Sequence, residues 1–247
     1  MEERDDIIIG RNAVSEALRA GRQIDYALIA KGDRTGALGA IIAKLRDKGI
    51  PVKDAAPVKL DGMCGGGNHQ GIIAVAAAHE YCTVGDLFKI AEERREPLFV
   101  IIADEIEDPH NLGAIIRTAE ATGVHGIIIP KRRSASLTFA VSKASAGASE
   151  HVAVARVSNL SAAIDGLKEK GVWIYGADTG GQMWDKTDFS GAVGLVIGSE
   201  GNGIGRLIRE KCDAIVSLPM LGKVNSLNAS VACGVVLYEI ARQRIKS

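Results

Sequence analysis

Apolar and polar positions fall along this chain in blocks of two kinds, short runs of strand length and longer stretches with helical spacing. Over residues 1–78 the apolar runs lie at Ile7 to Ile9, Tyr26 to Ala30, Ile50 to Lys53 and Ile72 to Ala78. Helical spacing fills Asn12 to Ala20, Gly36 to Lys48 and Val58 to Met63, with Gly21 and Gly49 where a glycine closes a helix. This stretch predicts a small α/β domain. Residues 79–96 read as a solvated helical linker. Thr83 and Asp86 have the spacing of a capping box, the helix they open ends in the charged run Glu92 to Glu96, and Pro97 stops it.

From Leu98 onward strands and helices alternate. Strands are predicted at Leu98 to Ala103, Gly126 to Ile129, His151 to Val157, Val172 to Ala177 and from Val193. Helices are predicted at Leu112 to Thr122, Thr138 to Ala146 and Asn159 to Lys170. Strands this apolar on both faces, spaced by helices, imply a parallel sheet covered on both sides, so residues 97–247 form a second α/β domain. Two loops in the last third stand out. The strand from Val193 runs into the glycine-rich turn Gly198 to Gly205, which carries one carboxylate, Glu200, and is followed by the amphipathic segment Ile204 to Cys212. The strand from Ile215 is stopped by Pro219, and a loop holding Asn225, Ser226, Leu227 and Asn228 leads to a helix reaching about Arg244. Loops at the carboxyl ends of parallel strands are where such sheets bind ligands. The glycine spacing is not the dinucleotide fingerprint, and no Gly-Lys-Ser/Thr marks a P-loop. A tight strand-to-helix turn is the plain alternative.

Composition narrows the choice. With 247 residues and 47% apolar content, one large domain or a small and a medium one can each bury a core. Thirty basic and thirty acidic residues leave no global basic field, so any nucleic-acid contact must come from local patches. Aromatics at 4% argue against a stacking platform for single strands. The four cysteines are widely spaced, with no histidine at metal-ligand spacing, so neither a metal site nor a disulfide framework is expected. The acidic N-terminus is not a signal peptide, and no apolar run reaches membrane-spanning length. A cytoplasmic protein is the expectation.

Several side chains are candidates for chemistry. Arg117 sits among Ala114, Ile115, Ile116 and Ala119, where a guanidinium has to be solvated or paired; an ion pair with Asp108 or Glu120 would explain it. Asn111 is placed to cap the helix expected from Leu112. Glu200 would sit favourably before the helix at Ile204, and Ser226 and Asn228 are cap residues for the last helix. Lys131 to Arg133 follow a strand end and, like Arg206, Arg209, Arg242, Arg244 and Lys246, either bind phosphate or form a solvated face. His110 and His125 read as a loop residue and a surface residue, and no histidine has partners that demand a metal or a general base.

Three stretches, Asp108 to Glu120, Val193 to Gly205 and Ile215 to Ser230, closely resemble the signature motifs of the SpoU (TrmH-like) family of RNA ribose 2'-O-methyltransferases, and the resemblance covers nearly the whole chain. Its best match is the branch that modifies a guanosine of bacterial 23S ribosomal RNA. The resemblance implies a C-terminal domain whose end is tucked into a deep trefoil knot, an exception to the rule against threading. It also implies an N-terminal RNA-binding module like ribosomal protein L30e, with His69 to Ile72 as its closing signature. Carried over residue by residue, Gly198, Leu218 and Leu227 would hold S-adenosylmethionine through their backbone, with Ile197, Met220 and Gly222 lining the same pocket. Arg117, Asn111, Glu200, Ser226 and Asn228 would form the catalytic set, without a metal. A guanidinium stays protonated in proteins, so Arg117 is expected to position substrate and stabilise charge rather than act as base. The family works as a homodimer, and Val231, Val235, Leu237 and Ile240 offer apolar surface for it, although a monomer core explains them equally. The chain departs from its relatives at Asn225, where serine or glutamate is commoner, and at Ala229, where valine is. A transfer-RNA ribose methyltransferase and a non-catalytic ribosome-assembly factor are the rival readings.

Overall fold

The computed structural model describes residues 6–32, 35–65, 67–76 and 80–246, with the backbone alone at Asp6, Phe139 and Lys246. The chain divides into two compact units, one made of residues 1–80 with 137–151, the other of 81–136 with 152–247.

The first unit has a four-stranded mixed sheet in the order β1-β4-β2-β3, from β1 (Asp6–Ile9), β2 (Ile24–Ala30), β3 (Val52–Ala55) and β4 (Ile72–Ala76). Successive side chains of a strand point to opposite faces, and the sequence supplies both with apolar groups. Ile8, Ile29 and Ile72 pack with Val14 and Leu18 of α1 (Arg11–Arg19) and with Leu38, Ile42 and Leu45 of α2 (Gly36–Asp47). Ile9, Leu28 and Ile73 pack on the other side with Leu60 of α3 (Pro57–Met63). The segment expected as one helix at Thr138 to Ala146 forms α6 (Phe139–Ala144), followed by a 3-10 turn over Ala148–Glu150, and both belong to this unit. Arg22 donates to Glu150 at 2.7 Å and His151 Nε2 lies 3.0 Å from Glu16, so charged groups 128 and 135 residues apart in sequence hold the inserted segment.

The second unit is built on a six-stranded, all-parallel sheet in the order β10-β8-β9-β5-β6-β7. Its strands are β5 (Phe99–Ala103), β6 (Gly126–Pro130), β7 (Ala153–Val157), β8 (Trp173–Met183), β9 (Val193–Ile197) and β10 (Ala214–Ser217). Helices α4 (Val84–Arg94), α7 (Leu160–Glu169) and α8 (Arg206–Lys211) share a core with Val100, Ile102, Ile128, Ile174 and Val196. Helices α5 (Pro109–Ala121) and α9 (Ala229–Lys246) pack on one another and bury Ile115, Ile116, Val236, Leu237 and Ile240.

Two expectations change here. The capping box of Thr83 and Asp86 is formed, but α4 is no solvated linker: Leu87 is fully buried, and a side chain at Gly126 would meet Leu87 at 2.4 Å. Burying one leucine contributes about 2 kcal/mol, enough to dock a three-turn helix that carries its own cap. His125 is not a surface residue. Its ring is buried, Nδ1 accepts the Phe99 N–H at 2.9 Å, and Nε2 lies 3.1 Å from the Glu96 carboxylate. Burial and the positive Arg94 hold its pKa below the usual imidazole value against the pull of Glu96.

Candidate active site

The site lies at the carboxyl ends of β5, β8, β9 and β10. After Ile197 the chain makes a tight excursion in which Ser199 and Gly203 exchange backbone hydrogen bonds at 3.1 and 3.0 Å. Gly198 faces this turn so closely that a Cβ would lie 2.1 Å from the carbonyl carbon of Gly203, so only glycine closes the loop without opening it. The far end is pinned by Asp104, which follows β5 and is 7% exposed; its Oδ2 accepts the Gly205 N–H at 2.8 Å. Burial raises the Asp104 pKa, and the Gly205 N–H opposes that rise.

A cleft of about 440 Å³ opens beside the loop. Ile197, Gly198, Leu218, Met220 and Leu227 of the expected cofactor residues line it; Gly222 does not and sits in the exposed turn beyond Met220. The opposite wall was not foreseen. The strand expected to stop at Ala177 continues to Met183, and its register against β10 jumps from Gly176 to Gln182. The intervening backbone swings outward, so that Asp178 and Thr179 line the cleft. Asp178 accepts a hydrogen bond from Arg209 and, at 2.7 Å, from the Thr179 N–H, while Arg209 also donates to the Thr179 carbonyl at 3.2 Å. The only sequence signal for this bulge is the Gly180 and Gly181 pair: a Cβ at Gly181 would lie 2.2 Å from the Ile215 carbonyl oxygen.

A second, smaller cleft of about 250 Å³ adjoins the loop and is lined by Glu105, Glu107, Asp108, Asn111, Ser199 and Glu200. Three of the candidate residues meet at it. Asn111 donates to Glu200 Oε1 at 2.9 Å, and Asn228 donates both to Asn111 Oδ1 at 2.8 Å and to Glu200 Oε1. Asn111 does not cap its helix. Pro109 at the first helical position starts α5 three residues earlier than the pattern suggested, and Asp108 is the cap, accepting the His110 N–H at 3.0 Å. Asn111, 6% exposed, is thereby free to turn its amide toward Glu200. Asn228 does cap α9: its Oδ1 accepts from Ser230 N at 3.0 Å and Val231 N at 3.2 Å. Cap and network are thus the work of one side chain, its oxygen serving the helix and its nitrogen the site. Ser226 is exposed on the wall of the larger cleft.

Arg117 is brought to neither cleft. It is exposed on α5 and makes no ion pair or hydrogen bond among the described residues, so the pairing with Asp108 or Glu120 is not formed. Its neighbour Thr118 and Ala114, one turn back, join Trp184, Val231, Val235 and Tyr238 in an apolar groove of about 700 Å³ between α5 and α9. Val231, Val235 and Tyr238 are 51%, 37% and 59% exposed, whereas Leu237 and Ile240, expected on the same apolar surface, are fully buried. Among the described residues no group of three or more His, Cys, Asp or Glu is placed to hold a metal, and no helix is long and apolar enough to cross a membrane.

Residues 98–238 match the SpoU rRNA Methylase family, and residues 7–82 match the domain described as RNA 2'-O ribose methyltransferase substrate binding. The chain is 47% identical, over 99% of its length and 98% of the relative's, to the putative TrmH family tRNA/rRNA methyltransferase YacO of Bacillus subtilis (strain 168). Its fold superposes on the SpoU methyltransferase AviRb of Streptomyces viridochromogenes, solved in complex with AdoMet, with a TM-score of 0.85 and 24% identity over 98% of this chain and 91% of that one. Against the TrmH/SpoU tRNA modifying enzyme of A. aeolicus the TM-score is 0.56 at 28% identity, over 66% of this chain and 82% of that one. With these two family domains following one another along the sequence and a relative this similar end to end, the chain belongs to the SpoU (TrmH) family of RNA ribose methyltransferases.

Proposed function

We propose that this protein transfers a methyl group from S-adenosylmethionine to the ribose 2'-hydroxyl of a guanosine in bacterial 23S ribosomal RNA. The observation that carries the assignment to ribosomal RNA is the first unit: a substrate-binding domain occupies residues 7–82, and the likeness to the tRNA modifying enzyme extends over only 66% of this chain. S-adenosylmethionine supplies an electrophilic methyl group to an in-line displacement, a reaction that depends on positioning. The larger cleft fits that cofactor. Gly198, Leu218 and Leu227 line the cleft and would offer backbone donors and acceptors to the cofactor's polar groups, and Ile197 and Met220 offer apolar surface.

In this reading the small cleft receives the target ribose. Asn111, Glu200 and Asn228 lock one another in place, and Ser226 lines the larger cleft. Arg117 acts from a second copy of the chain. Its unpaired, exposed guanidinium and the apolar groove beside it support a homodimer in which α5 and α9 form the contact and the arginine reaches the partner's clefts, holding phosphate and ribose. The trefoil knot is part of the same proposal. It is supported by the strand order, since β9 is inserted between β8 and β5 and the chain returns from β10 at the sheet edge to pack α9 on α5. The cytoplasm is the proposed compartment.

The test is transfer of labelled methyl to large-subunit ribosomal RNA and, in parallel, to bulk transfer RNA, by this protein and its Arg117→Ala variant. Label at one alkali-resistant guanosine of ribosomal RNA, lost in the variant, is the expected result. Label on transfer RNA alone would move the substrate to the rival branch. No label on either, with cofactor binding intact, would favour an assembly factor.

A further inference from the structure

The sequence offers eight basic residues as possible phosphate ligands, and the structure removes most of them. Arg206 pairs with Glu210 at 2.9 Å, Arg209 with Asp178, and Arg242 with Glu239 at 2.6 Å. Arg244 is a staple: it donates to the carbonyls of Pro97, Leu98 and Gly191 at 2.9, 3.1 and 2.9 Å and lies over the Phe99 ring. Arg133 is spent on Glu105 at 2.9 Å, and the side chain of Lys246 lies outside the described residues. Lys131 and Arg132 remain, both exposed and both without an ion-pair or hydrogen-bond partner for their cationic groups among the described residues.

Their position is what gives them a use. They follow β6, next to β5 in the sheet and two strands from β9, so they stand roughly 10 Å along the sheet edge from the loop that carries Glu200. The backbone that presents them is held on three sides: the Lys131 N–H donates to Val157 O at 2.8 Å, Arg156 donates to Lys131 O at 3.3 Å, and the Ala135 N–H donates to Ile106 O at 2.8 Å. The last of these bonds, with the Arg133–Glu105 pair, stitches the basic loop to the loop that leads into α5, whose first turn carries Asn111. Glu105 and Arg133 both have φ of 55°, a left-handed conformation that costs a non-glycine residue on the order of 1 kcal/mol, so the junction is maintained against strain. Charge is divided across it. The small cleft is lined by Glu105, Glu107, Asp108 and Glu200, which repel phosphate, and the free cations belong to the neighbouring loop that Arg133 ties to Glu105.

We propose that Lys131 and Arg132 grip backbone phosphates of the RNA beside the target nucleotide. The acidic cleft admits ribose and base, and the basic loop takes the flanking phosphodiesters, so the two together set which nucleotide stops at the cofactor. The inference needs only the family's RNA substrate and not the choice of ribosomal RNA.

It is tested by binding large-subunit ribosomal RNA and bulk transfer RNA to the full-length protein and to a Lys131→Ala/Arg132→Ala variant over a potassium chloride series. Losing two phosphate contacts should reduce the slope of log affinity against log salt by about 1.4 on single-stranded RNA. It should raise the KM for whichever RNA is methylated, with kcat at saturating RNA and cofactor affinity unchanged. A Lys131→Arg/Arg132→Lys variant, which keeps both charges, should retain the wild-type slope. An unaltered slope and KM in the alanine variant would overturn the proposal, as would loss of cofactor affinity in step with RNA affinity, because the loop would then be structural. Because both RNAs are used, failure of the ribosomal-RNA assignment appears as methylation of the other RNA and leaves the slope comparison intact.

Discussion

Asn228 holds two jobs that substitutions can separate. Its oxygen caps α9 and its nitrogen joins Asn111 to Glu200. A cap of this type stabilises by about 1 kcal/mol, and the part-exposed bonds to Asn111 and Glu200 add about another 1 kcal/mol together. Asn228→Ala removes both and should cost about 2 kcal/mol, lowering Tm by roughly 4 to 8 °C at the 2 to 4 °C per kcal/mol expected for a domain of this size. Asn228→Ser keeps a cap of equal quality on a side chain too short to bridge, so it should lose about half as much. Catalysis should respond differently. In both variants Asn111 and Glu200 keep their own hydrogen bond but lose the amide that braces it, and a displacement on the order of 1 Å costs up to about a hundredfold, so kcat/KM in the labelled-methyl assay should fall at least tenfold in each. Asn228→Asp also caps well but sets a carboxylate where the amide donated to Glu200, so its kcat/KM should fall at least as far as that of Asn228→Ser. Wild-type kcat/KM in Asn228→Ser would reduce Asn228 to a cap. Equal destabilisation by serine and alanine would refute the capping half.

Three further outcomes follow from the geometry. Gly198→Ala places a Cβ 2.1 Å from the Gly203 backbone and should weaken cofactor binding at least tenfold by calorimetry; an unchanged Kd would remove this loop from the cofactor site. Asp104 has a raised pKa in the fold, so the folded chain binds more protons than the unfolded one above the ordinary value of 3.8, and its ionisation costs stability as pH rises. The Tm of Asp104→Asn relative to wild type should therefore increase from pH 4 to pH 7, and a flat difference would contradict the shift. Tyr238→Glu puts a charge into the apolar groove of α9 and should convert a dimer to monomers in sedimentation velocity, with methyl transfer lost and cofactor affinity retained; a dimer of unchanged mass would refute the assigned interface.

The element pattern was legible because it is local. Strands such as Phe99–Ala103 and Val193–Ile197 are apolar throughout, and every residue in them is buried, as a central parallel strand requires. What escaped depends on partners distant in sequence. His125 finds Phe99 and Glu96 26 and 29 residues away, and nothing next to it distinguishes it from a surface histidine. The segment 137–151 reads as another helix of the alternating series, yet its ion pairs are with Arg22 and Glu16. The start of α5 was within reach: Asp108 followed by Pro109 is a cap and a first-turn proline, and that pair outweighs the asparagine two positions later. The outward bulge after Ala177 had only its two glycines to announce it.

The meeting of Asn111, Glu200 and Asn228 depends on topology rather than local preference. From β5 the chain moves one way along the sheet, through β6 to β7, whereas β9 leads the other way, past β8 to β10. The loops after β5 and β9 therefore diverge, leaving a crevice between adjacent strands, and a ligand enters where backbone groups have no neighbour to cover them. Asn111, in the first turn of α5, and Glu200, in the loop after β9, meet at it, and Asn228 arrives from beyond β10 to brace them. None of the three carries a local signal stronger than that of a helix cap, so periodicity alone identifies an α/β sheet with a ligand site at its carboxyl edge and no more. The resemblance of three motifs supplied the residues, and the order of the strands gives the physical reason why those residues belong together.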